Sequence, residues 1–479
     1  MERCSAHCVI CKCSTRCAWA DPPHQQNELQ PELIVIGAGL AGSEAAWQAA
    51  QRGIRVALYE MRPVKQTPAH VSDRFAELVC SNSLGSQQAE RAPGIQKAEL
   101  TRLGSLILAC AQATAVPAGG SLAVGREAFG DLVTSLVCAH PNISVVRAEM
   151  TAIPTDIPTI VASGPLTSDA LAADIARLTG QEYMYFYDAL SPIVAADSID
   201  MSLAFRGARY DNSASAAGDY INCPLDKAQY AEFVEALAGA QTISLRTFEE
   251  ESWKSAHFFE GCLPVEILAR RGAAALAFGP MTPMGLTDPH SGRRPWAVVQ
   301  LRQDNLAGTL YNLVGFQTNL TWGEQKRVFG LIPGLAAAEF LRYGMMHRNT
   351  FINAPRLLEP TMQFKGRPDL FFAGQITGVE GYVGNAGTGL LAGLNAARLL
   401  RGAAPLVLPP ATVMGSLCWY VTHCEADGFQ PMKANFGLLP PLDPPIRHKQ
   451  QRYRAYAERA QRDLETFIAA HSLEPAIVP

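Results

Sequence analysis

Three glycines at a fixed spacing, and an acidic residue further along, are the groups in this chain best suited to bind a ligand. Gly37, Gly39 and Gly42 follow one apolar run, and Glu60 closes a second run about twenty residues later. In such an arrangement the first glycine permits a tight turn, the second lets a pyrophosphate approach the backbone, and the third lets a helix pack on a strand. The carboxylate accepts hydrogen bonds from a ribose. The spacing therefore predicts a dinucleotide site for FAD or NAD(P).

Two strands and a helix must position these residues. Leu33 to Ile36 is short and apolar, as expected of a buried parallel strand, and residues 56–60 form a second such run. After Gly42 the apolar positions recur at helical spacing through Ala50. The N-terminus of this helix would direct unpaired N–H groups at an anion. The order strand, glycine turn, helix, strand predicts a Rossmann-like α/β fold.

A second glycine-rich segment lies far from the first. Residues 370–375 form a strand that leads into a turn at Gly374 and Gln375, and residues 387–397 predict a helix packed through small side chains. Two distant glycine-rich contacts are typical of an FAD protein rather than of a dehydrogenase with one nucleotide site. The predicted cofactor contacts are Gly37, Ala38, Gly39, Leu40, Ala41, Gly42, Glu60, Met61, Arg62, Gly374 and Gln375.

The segment between these two regions differs in composition. From about residue 181 to 349 the chain is rich in aromatic residues, prolines and isolated β-branched runs, which predicts an α+β insertion domain. The predicted division is a disordered or non-native leader at 1–31, a first part of the FAD domain at 32–180, the insertion at 181–349, and a second part at 350–479. Residues 75–80 are expected to be helical.

Composition limits the classes of protein that this chain can represent. It has 479 residues, 48% of them hydrophobic, with a formal net charge of −4, which disfavours a uniformly basic nucleic-acid binder. No apolar run approaches the roughly 20 residues that span a bilayer, and no signal-peptide pattern opens the chain. We therefore expect a cytoplasmic protein without a membrane partner. Residues 447–462 carry six basic residues and one acid, Glu458, so this helix is either a solvated surface or a face that contacts phosphates.

The 12 cysteines are unevenly distributed, because five of them lie in the first 17 residues. Cys8 and Cys11 have zinc-like spacing beside His7, but no second ligand pair follows at a suitable distance. We therefore predict no metal site. The fold is expected to begin at Glu32.

Several segments together resemble one family, the folate- and FAD-dependent tRNA (uracil-C5) methyltransferases of bacteria. The matching segments cover nearly the whole chain after the leader: Tyr59–His70, Phe75–Ser83, Tyr220–Pro224, Phe259–Pro264, Gln300–Asn305, Leu310–Gln317, Tyr343–Thr350 and Phe429–Met432. The resemblance implies that NAD(P)H reduces FAD and that methylenetetrahydrofolate supplies one carbon to C5 of the T-loop uridine of tRNA. The implied partners are tRNA, folate and NAD(P)H.

This chemistry requires a thiolate, because uracil C5 becomes nucleophilic only after a nucleophile adds to C6. The resemblance implies that Cys223 is that nucleophile and that Cys80 is a second catalytic thiol near the flavin. Cys262 lies in a matching segment without an assigned role. The remaining cysteines of the body match nothing and are expected to be inert: Cys110, Cys138, Cys418 and Cys424.

One departure from the family pattern and two alternatives remain. Where the family usually has a glutamate and a serine after Tyr382 and Val383, this chain has Gly384 and Asn385, which is expected to alter flavin or folate contacts.

One alternative is the related flavoprotein that modifies the wobble uridine of tRNA, which has a longer helical C-terminal region. The other is a flavin-dependent tRNA-binding module with little turnover.

Overall fold

The computed structural model describes residues 30–180, 184–209, 218–243 and 263–478. Most of the predicted leader, together with Cys262, lies outside the described residues. The strands are β1 Leu33–Ile36, β2 Val56–Tyr59, β3 Ser83–Ser86, β4 Ala115–Val116, β5 Ser121–Val124, β6 Ile143–Val146, β7 Thr159–Val161, β8 Met184–Ala189, β9 Ile193–Ala195, β10 Phe205–Gly207, β11 Tyr220–Leu225, β12 Ala297–Gln303, β13 Leu310–Leu313, β14 Phe340–Arg342, β15 Met346–Phe351, β16 Gln363–Phe364 and β17 Arg367–Phe372.

The helices are α1 Leu40–Gln51, α2 Ala92–Arg102, α3 Leu106–Ala113, α4 Arg126–Ala139, α5 Asp169–Thr179, α6 Lys227–Ala238, α7 Val265–Arg270, α8 Trp322–Phe329, α9 Ala354–Leu357, α10 Tyr382–Leu400, α11 Val413–His423 and α12 Lys449–His471. Short 3-10 turns lie at Ala196–Ser198, Gln375–Thr377 and Phe436–Leu438.

The first sheet unites distant parts of the chain. Its order is β16-β17-β7-β1-β2-β6, and every neighbouring pair except β16–β17 is parallel. The four residues of β1 are all buried, as a parallel strand covered on both faces requires. Helices α1 and α10 pack backbone to backbone, since a Cβ at Gly389 would lie 2.2 Å from the carbonyl oxygen of Ala41. The predicted Rossmann-like fold and its small-residue helix are confirmed.

A second sheet is formed by residues that lie, in the sequence, between the two parts of the chain that build the first sheet. It is antiparallel, with the order β10-β11-β12-β13-β9-β14, and encloses its own hydrophobic core. Strands β8 and β15 pair antiparallel where the chain enters and leaves this region. The predicted α+β insertion is therefore confirmed, while its limits at residues 181 and 349 stay predictions.

Residues 75–80 are not helical, contrary to the sequence-based expectation. Ala76 has a φ of +49°, which interrupts a right-handed helix. The side chain of Glu77 instead accepts hydrogen bonds from the backbone N–H groups of Val71 and Ser72 at 2.9 and 3.1 Å. These side-chain bonds replace the backbone ladder that a helix would have made.

The C-terminal helix was correctly predicted, and it begins at Lys449 within the basic segment. Two of its arginines are engaged by the protein: Arg454 lies 3.2 Å from Glu90, and Arg459 donates to the carbonyl oxygens of Pro440 and Pro441. Among the residues that the structure describes, no helix is both long and apolar enough to cross a membrane.

Candidate active site

A cleft at the carboxyl ends of β1, β2 and β7 brings the two predicted glycine-rich segments together. Open α/β sheets bind their ligands at this edge. The cleft has about 1000 Å³ of empty space, including the part open to solvent. The predicted residues that line it are Gly37, Gly39, Leu40, Ala41, Glu60, Met61, Arg62, Gly374 and Gln375. Ala38 and Gly42 are not among the lining residues.

The three glycines of the first turn differ in what surrounds them. Gly37 has a φ of +96°, and a Cβ there would lie 2.7 Å from the carbonyl oxygen of Ala162. A Cβ at Gly42 would lie 1.7 Å from the carbonyl oxygen of Gly37, so this glycine permits the contact between helix and strand. A Cβ at Gly39 would meet no protein atom within 4 Å. The protein itself therefore needs Gly37 and Gly42, whereas Gly39 leaves open space in front of the helix.

This open space fits the pyrophosphate of a dinucleotide. Gly39 is the N-cap of α1, and the first N–H groups of a helix have no acceptors within the helix. The helix dipole adds a partial positive charge at the same end. These residues therefore fit FAD, with Gly39 leaving room for the phosphates and α1 supplying the donors.

Glu60 lies beside this turn, but its carboxylate is already fully hydrogen-bonded. One oxygen accepts from the N–H of Ala38 at 3.0 Å and from Arg62 Nη2 at 3.2 Å. The other accepts from the backbone N–H and the Nε of Arg62 at 3.0 and 2.9 Å. Burial alone would raise the pKa of Glu60, but the bonds and charge of Arg62 and the Ala38 N–H bring it below its ordinary value. A ribose would have to replace one of these donors.

Sequence reasoning did not select His70, which also lines the cleft. Its Nδ1 lies 2.6 Å from Thr67 Oγ1. Burial and the charge of Arg62 lower the pKa of His70 to about 4, so the imidazole is neutral at physiological pH. The available signal was its place at the end of the matching segment Tyr59–His70, because no spacing rule distinguishes it.

The second glycine turn closes the cleft on the side of α10. The backbone N–H of Gly374 donates to Thr388 Oγ1 at 2.8 Å, and Gln375 Nε2 donates to Glu380 Oε1 at 2.9 Å. A Cβ at Gly374 would lie 2.8 Å from the Cβ of Ala41, so this turn packs against α1. Tertiary packing therefore joins the two halves of the predicted cofactor site.

The departure at residues 384 and 385 lies in the first turn of α10. Asn385 is 6% exposed and lines the cleft, and its Oδ1 is buried without a hydrogen-bond partner. A Cβ at Gly384 would lie 2.8 Å from Val379 Cγ1. The expected change in cofactor contacts therefore falls on residues next to the cleft.

Cys80 lies at the edge of the same cleft. It is partly buried, and its backbone N–H donates to the hydroxyl of Tyr382 at 3.0 Å. Both Val79 and Tyr382 line the cleft. The structure thus places this predicted thiol next to the proposed flavin site.

Three arginines from separate elements surround the Cys80 loop. Arg126 donates to the Cys80 carbonyl oxygen at 3.2 Å, Arg302 to Ser81 Oγ at 2.6 Å, and Arg342 to the Val79 carbonyl oxygen at 3.1 Å. Cations beside a cysteine stabilise its thiolate. One of these cations, Arg126, is itself paired with Asp304 at 2.9 Å, and the thiol beside them is partly exposed.

Cys223 does not occupy such a position in this structure. It lies on β11 in the core beneath the second sheet and is 0% exposed. Burial raises the pKa of its thiol to about 12. Attack on a base would therefore require that this strand become accessible when RNA binds. The nucleophilic role of Cys223 stays a prediction.

The other four thiols of the described body also have raised pKa values, and their inert role stays a prediction. Burial raises the pKa values of Cys110 and Cys418 to about 12. Burial also raises those of Cys138 and Cys424. Among the described residues, no group of three or more histidine, cysteine or acidic side chains could hold a metal ion.

Comparison with known proteins first defines a broad class. A family model described as "Glucose inhibited division protein A" matches residues 32–404. Two crystal forms of Aquifex aeolicus GidA align with TM-scores of 0.64 and 0.61 at 16% and 15% identity. Each alignment covers 91% of this chain and 76% or 73% of the GidA chain. The structural likeness shows the fold: a GidA-type flavoprotein fold.

Curated relatives narrow the class. The enzyme named methylenetetrahydrofolate–tRNA-(uracil-5-)-methyltransferase TrmFO from Bacillus cytotoxicus is 58% identical over 91% of this chain and 98% of its own length. The proteins of that name from Anoxybacillus flavithermus and Halalkalibacterium halodurans are each 56% identical, over 91% of this chain and 99% of their own. The chain belongs to this methyltransferase family.

Proposed function

We propose that this protein transfers the methylene carbon of 5,10-methylenetetrahydrofolate to C5 of the T-loop uridine of tRNA and reduces it to a methyl group. The observation that carries this proposal is the meeting of a dinucleotide cleft and a partly exposed thiol, Cys80, in a chain that matches the methyltransferase relatives along almost its full length. Because tRNA is its substrate, we place the protein in the cytoplasm.

FAD, reduced by NAD(P)H, supplies the hydride for this reaction when it is bound. Gly37 and Gly42 shape the turn, and Gly39 leaves the space for the pyrophosphate. The first turn of α1, from Leu40, donates to the phosphates. Glu60 orients the ribose side of the cleft, through Arg62 or by exchanging one of its donors.

The remaining predicted contacts complete the cofactor site. Met61 lines the cleft beside Glu60, while Gly374 and Gln375 close it from the second part of the FAD domain. Ala38 does not line the cleft but contributes indirectly, because its backbone N–H donates a hydrogen bond to the Glu60 carboxylate.

Cys223 is the thiol that we assign to C6 of the uridine, and Cys80 is the second thiol, beside the cofactor cleft. Because Cys223 is buried in the free protein, this assignment requires that tRNA binding expose β11. The bond between Sγ and C6 places negative charge on C5, and C5 attacks the methylene as one of the bonds from that carbon to a folate nitrogen breaks. A base removes the C5 proton as the second bond to nitrogen breaks, which leaves an exocyclic methylene on C5. A hydride, which reduced FAD would supply, adds to this methylene as the Sγ–C6 bond breaks and releases the thiolate. Arg126 and Arg302 hold the Cys80 loop beside the cleft.

The wobble-uridine enzyme is less well supported as an alternative. Identity to relatives named as uracil-5 methyltransferases is 56–58% over nearly their full length, which favours the T-loop reaction. The binding module without turnover would require that Gly384 and Asn385 disable the chemistry. Both residues lie at the cofactor cleft, so an activity measurement decides this point directly.

The test is mass spectrometry of tRNA from a strain that lacks the gene. Wild-type protein should restore 5-methyluridine in the T-loop, whereas a change only in the wobble modification would favour the first alternative. No change in either modification would favour the binding module.

Two cysteine variants test the assignment of the nucleophile. Cys223→Ala should keep FAD and its reduction by NAD(P)H, yet methylate no tRNA and form no covalent complex with tRNA that carries 5-fluorouridine at the target. Cys80→Ala should also lose methylation, but through the flavin side of the reaction. A folded, flavin-loaded Cys223→Ala protein that still methylates tRNA at a comparable rate would contradict the assignment and leave Cys80 as the remaining candidate.

A further inference from the structure

A terrace of four aromatic rings runs from the core of the insertion domain to its surface. The ring centroids of Phe329 and Phe340 are 6.3 Å apart, those of Phe340 and Tyr343 are 5.8 Å apart, and those of Tyr343 and Trp322 are 5.7 Å apart. The last two pairs are nearly parallel, with interplanar angles of 7° and 14°. Phe329 is fully buried, whereas Trp322 at the other end is 62% exposed. The arrangement offers a flat aromatic surface to solvent.

A buried amide holds the exposed end of this terrace in place. Gln325, which is 0% exposed, donates to the carbonyl oxygens of Leu320 and Gly344 at 2.7 and 2.9 Å. Its own oxygen accepts from the N–H of Gly344 at 2.7 Å. These bonds tie α8, which carries Trp322, to the backbone directly after Tyr343. The two outer rings are therefore ordered before any ligand arrives, which lowers the entropy that binding would cost.

The terrace lies next to the Cys80 loop. Arg342 donates to the carbonyl oxygen of Val79 at 3.1 Å, and Val79 lines the cofactor cleft. Tyr343 follows Arg342 in the chain, so their Cα atoms are about 3.8 Å apart across a trans peptide. Tyr343 is therefore adjacent in the chain to a residue that contacts the Cys80 loop, and Trp322 stacks on Tyr343.

The chemistry of the surface fits an unpaired nucleic-acid base. Unstacked bases bind to proteins mainly by stacking on aromatic rings, whatever their hydrogen-bonding edge. Arg342 precedes Tyr343 in the chain and Lys326 follows Trp322 by one helical turn, so two basic residues neighbour the rings, while Arg327 is paired with Glu324 at 2.6 Å. A base whose neighbour is drawn toward Cys80 loses its own stacking partner, and this terrace can replace that partner.

We propose that Trp322 and Tyr343 form a platform that stacks an unpaired T-loop base while the target uridine enters the cleft beside Cys80. This inference rests on the proposed function, since it requires tRNA as substrate. It assigns the RNA-facing entrance of the site to the edge of the second sheet, a region for which the glycine motifs and cysteines provided no signal.

The experiment measures the dissociation constant of a T-arm RNA hairpin for the flavin-loaded enzyme. Trp322→Leu should weaken binding about tenfold, because a stacked base typically contributes that much. Trp322→Phe keeps a ring and should stay within about threefold of wild type. Trp419→Leu is the matched control, since Trp419 is 45% exposed and stacks on His423, and it should not change binding. Flavin content and reduction by NAD(P)H should be the same in all four proteins.

Hairpins with single abasic sites in the loop identify the stacked base. One abasic position should weaken binding to wild type but add nothing to the loss in Trp322→Leu, as coupled partners in a double-mutant cycle behave. Unchanged RNA binding by Trp322→Leu would overturn the platform, as would a raised KM for folate alone, which would assign the rings to the pterin. If wild-type enzyme neither binds the hairpin nor methylates tRNA, the proposed function fails; if it methylates and Trp322→Leu binds normally, only the platform fails.

Discussion

Gly39 and Gly42 offer a sharp test of the cofactor site, because the structure gives the two glycines opposite roles. A side chain at Gly39 meets no protein atom within 4 Å, and its φ of −71° is accessible to any residue. Gly39→Val should therefore fold with a stability within about 1 kcal/mol of the wild-type apoprotein. Its side chain instead fills the space that the pyrophosphate needs.

The loss of affinity follows from the bonds that the phosphates would forfeit. Two hydrogen bonds from backbone N–H groups to a charged oxygen contribute about 3 kcal/mol together, which corresponds to a weakening of roughly 100-fold in FAD binding. Gly42→Ala has the opposite profile, because its Cβ would lie 1.7 Å from the carbonyl oxygen of Gly37. Only a shift of α1 away from β1 relieves this overlap, so we expect a loss of about 3 kcal/mol or more in stability.

Two measurements separate these effects. The ratio of flavin to protein absorbance in the purified variants reports cofactor content, and urea unfolding of the flavin-free proteins reports the stability of the fold. Gly39→Val should lose flavin and keep its unfolding midpoint, whereas Gly42→Ala should lower the midpoint even without flavin. A Gly39→Val protein that purifies with full flavin would refute the location of the pyrophosphate. Equal destabilisation of both apoproteins would refute the distinction between ligand space and packing contact.

Three further predictions concern the rest of the chain. Replacing Arg452 and Arg454 by Gln should reduce the slope of log affinity for tRNA against log salt by about 1 for each lost phosphate contact. Arg454 should contribute the smaller share of this reduction, because it is already paired with Glu90. An unchanged slope would show that α12 is a solvated surface helix that does not contact phosphates. Removing residues up to about Leu29 should leave flavin content and the unfolding midpoint unchanged, since the first strand begins at Leu33; a loss of activity together with a bound zinc ion would contradict this. Because burial lowers the pKa of His70 from 6.5 to about 4, protonation favours the unfolded chain, so this group leaves stability unchanged above pH 6.5 and reduces it as the pH falls toward 4. Between pH 7 and pH 5 the wild type should lose about 2 kcal/mol more in urea unfolding than His70→Gln, and identical losses would show that the imidazole titrates normally.

The first glycine turn shows what local sequence is able to predict. The strand at Leu33–Ile36, the turn at Gly37 and the helix from Leu40 depend on contacts within a few residues, so apolar spacing and glycine placement were sufficient. The second turn at Gly374 was found in the same way. Its union with the first turn depends on a close helix contact across more than three hundred residues, which only the fold displays.

The cysteines show what the sequence does not record about its side chains. The segments around Cys80 and Cys223 both resemble the family, and the resemblance implies a catalytic thiol in each. Burial separates them, because Cys223 points into the core of the second sheet while Cys80 lies on a loop at the cleft. A side chain's exposure depends on which elements pack over it, and the residues near it in the chain do not record this.

The sequence by itself determined the class of fold, the dinucleotide turn and the family, since each rests on local spacing or on the identity of short segments. Tertiary structure decided which thiol is accessible, which donors occupy Glu60, and which cations surround Cys80. Arg126, Arg302 and Arg342 come from a helix and from two strands of the second sheet, and they meet only because the insertion packs against the cofactor domain. Charge, burial and hydrogen bonding act through space over a few ångströms, whereas the chain separates these groups by dozens to hundreds of residues.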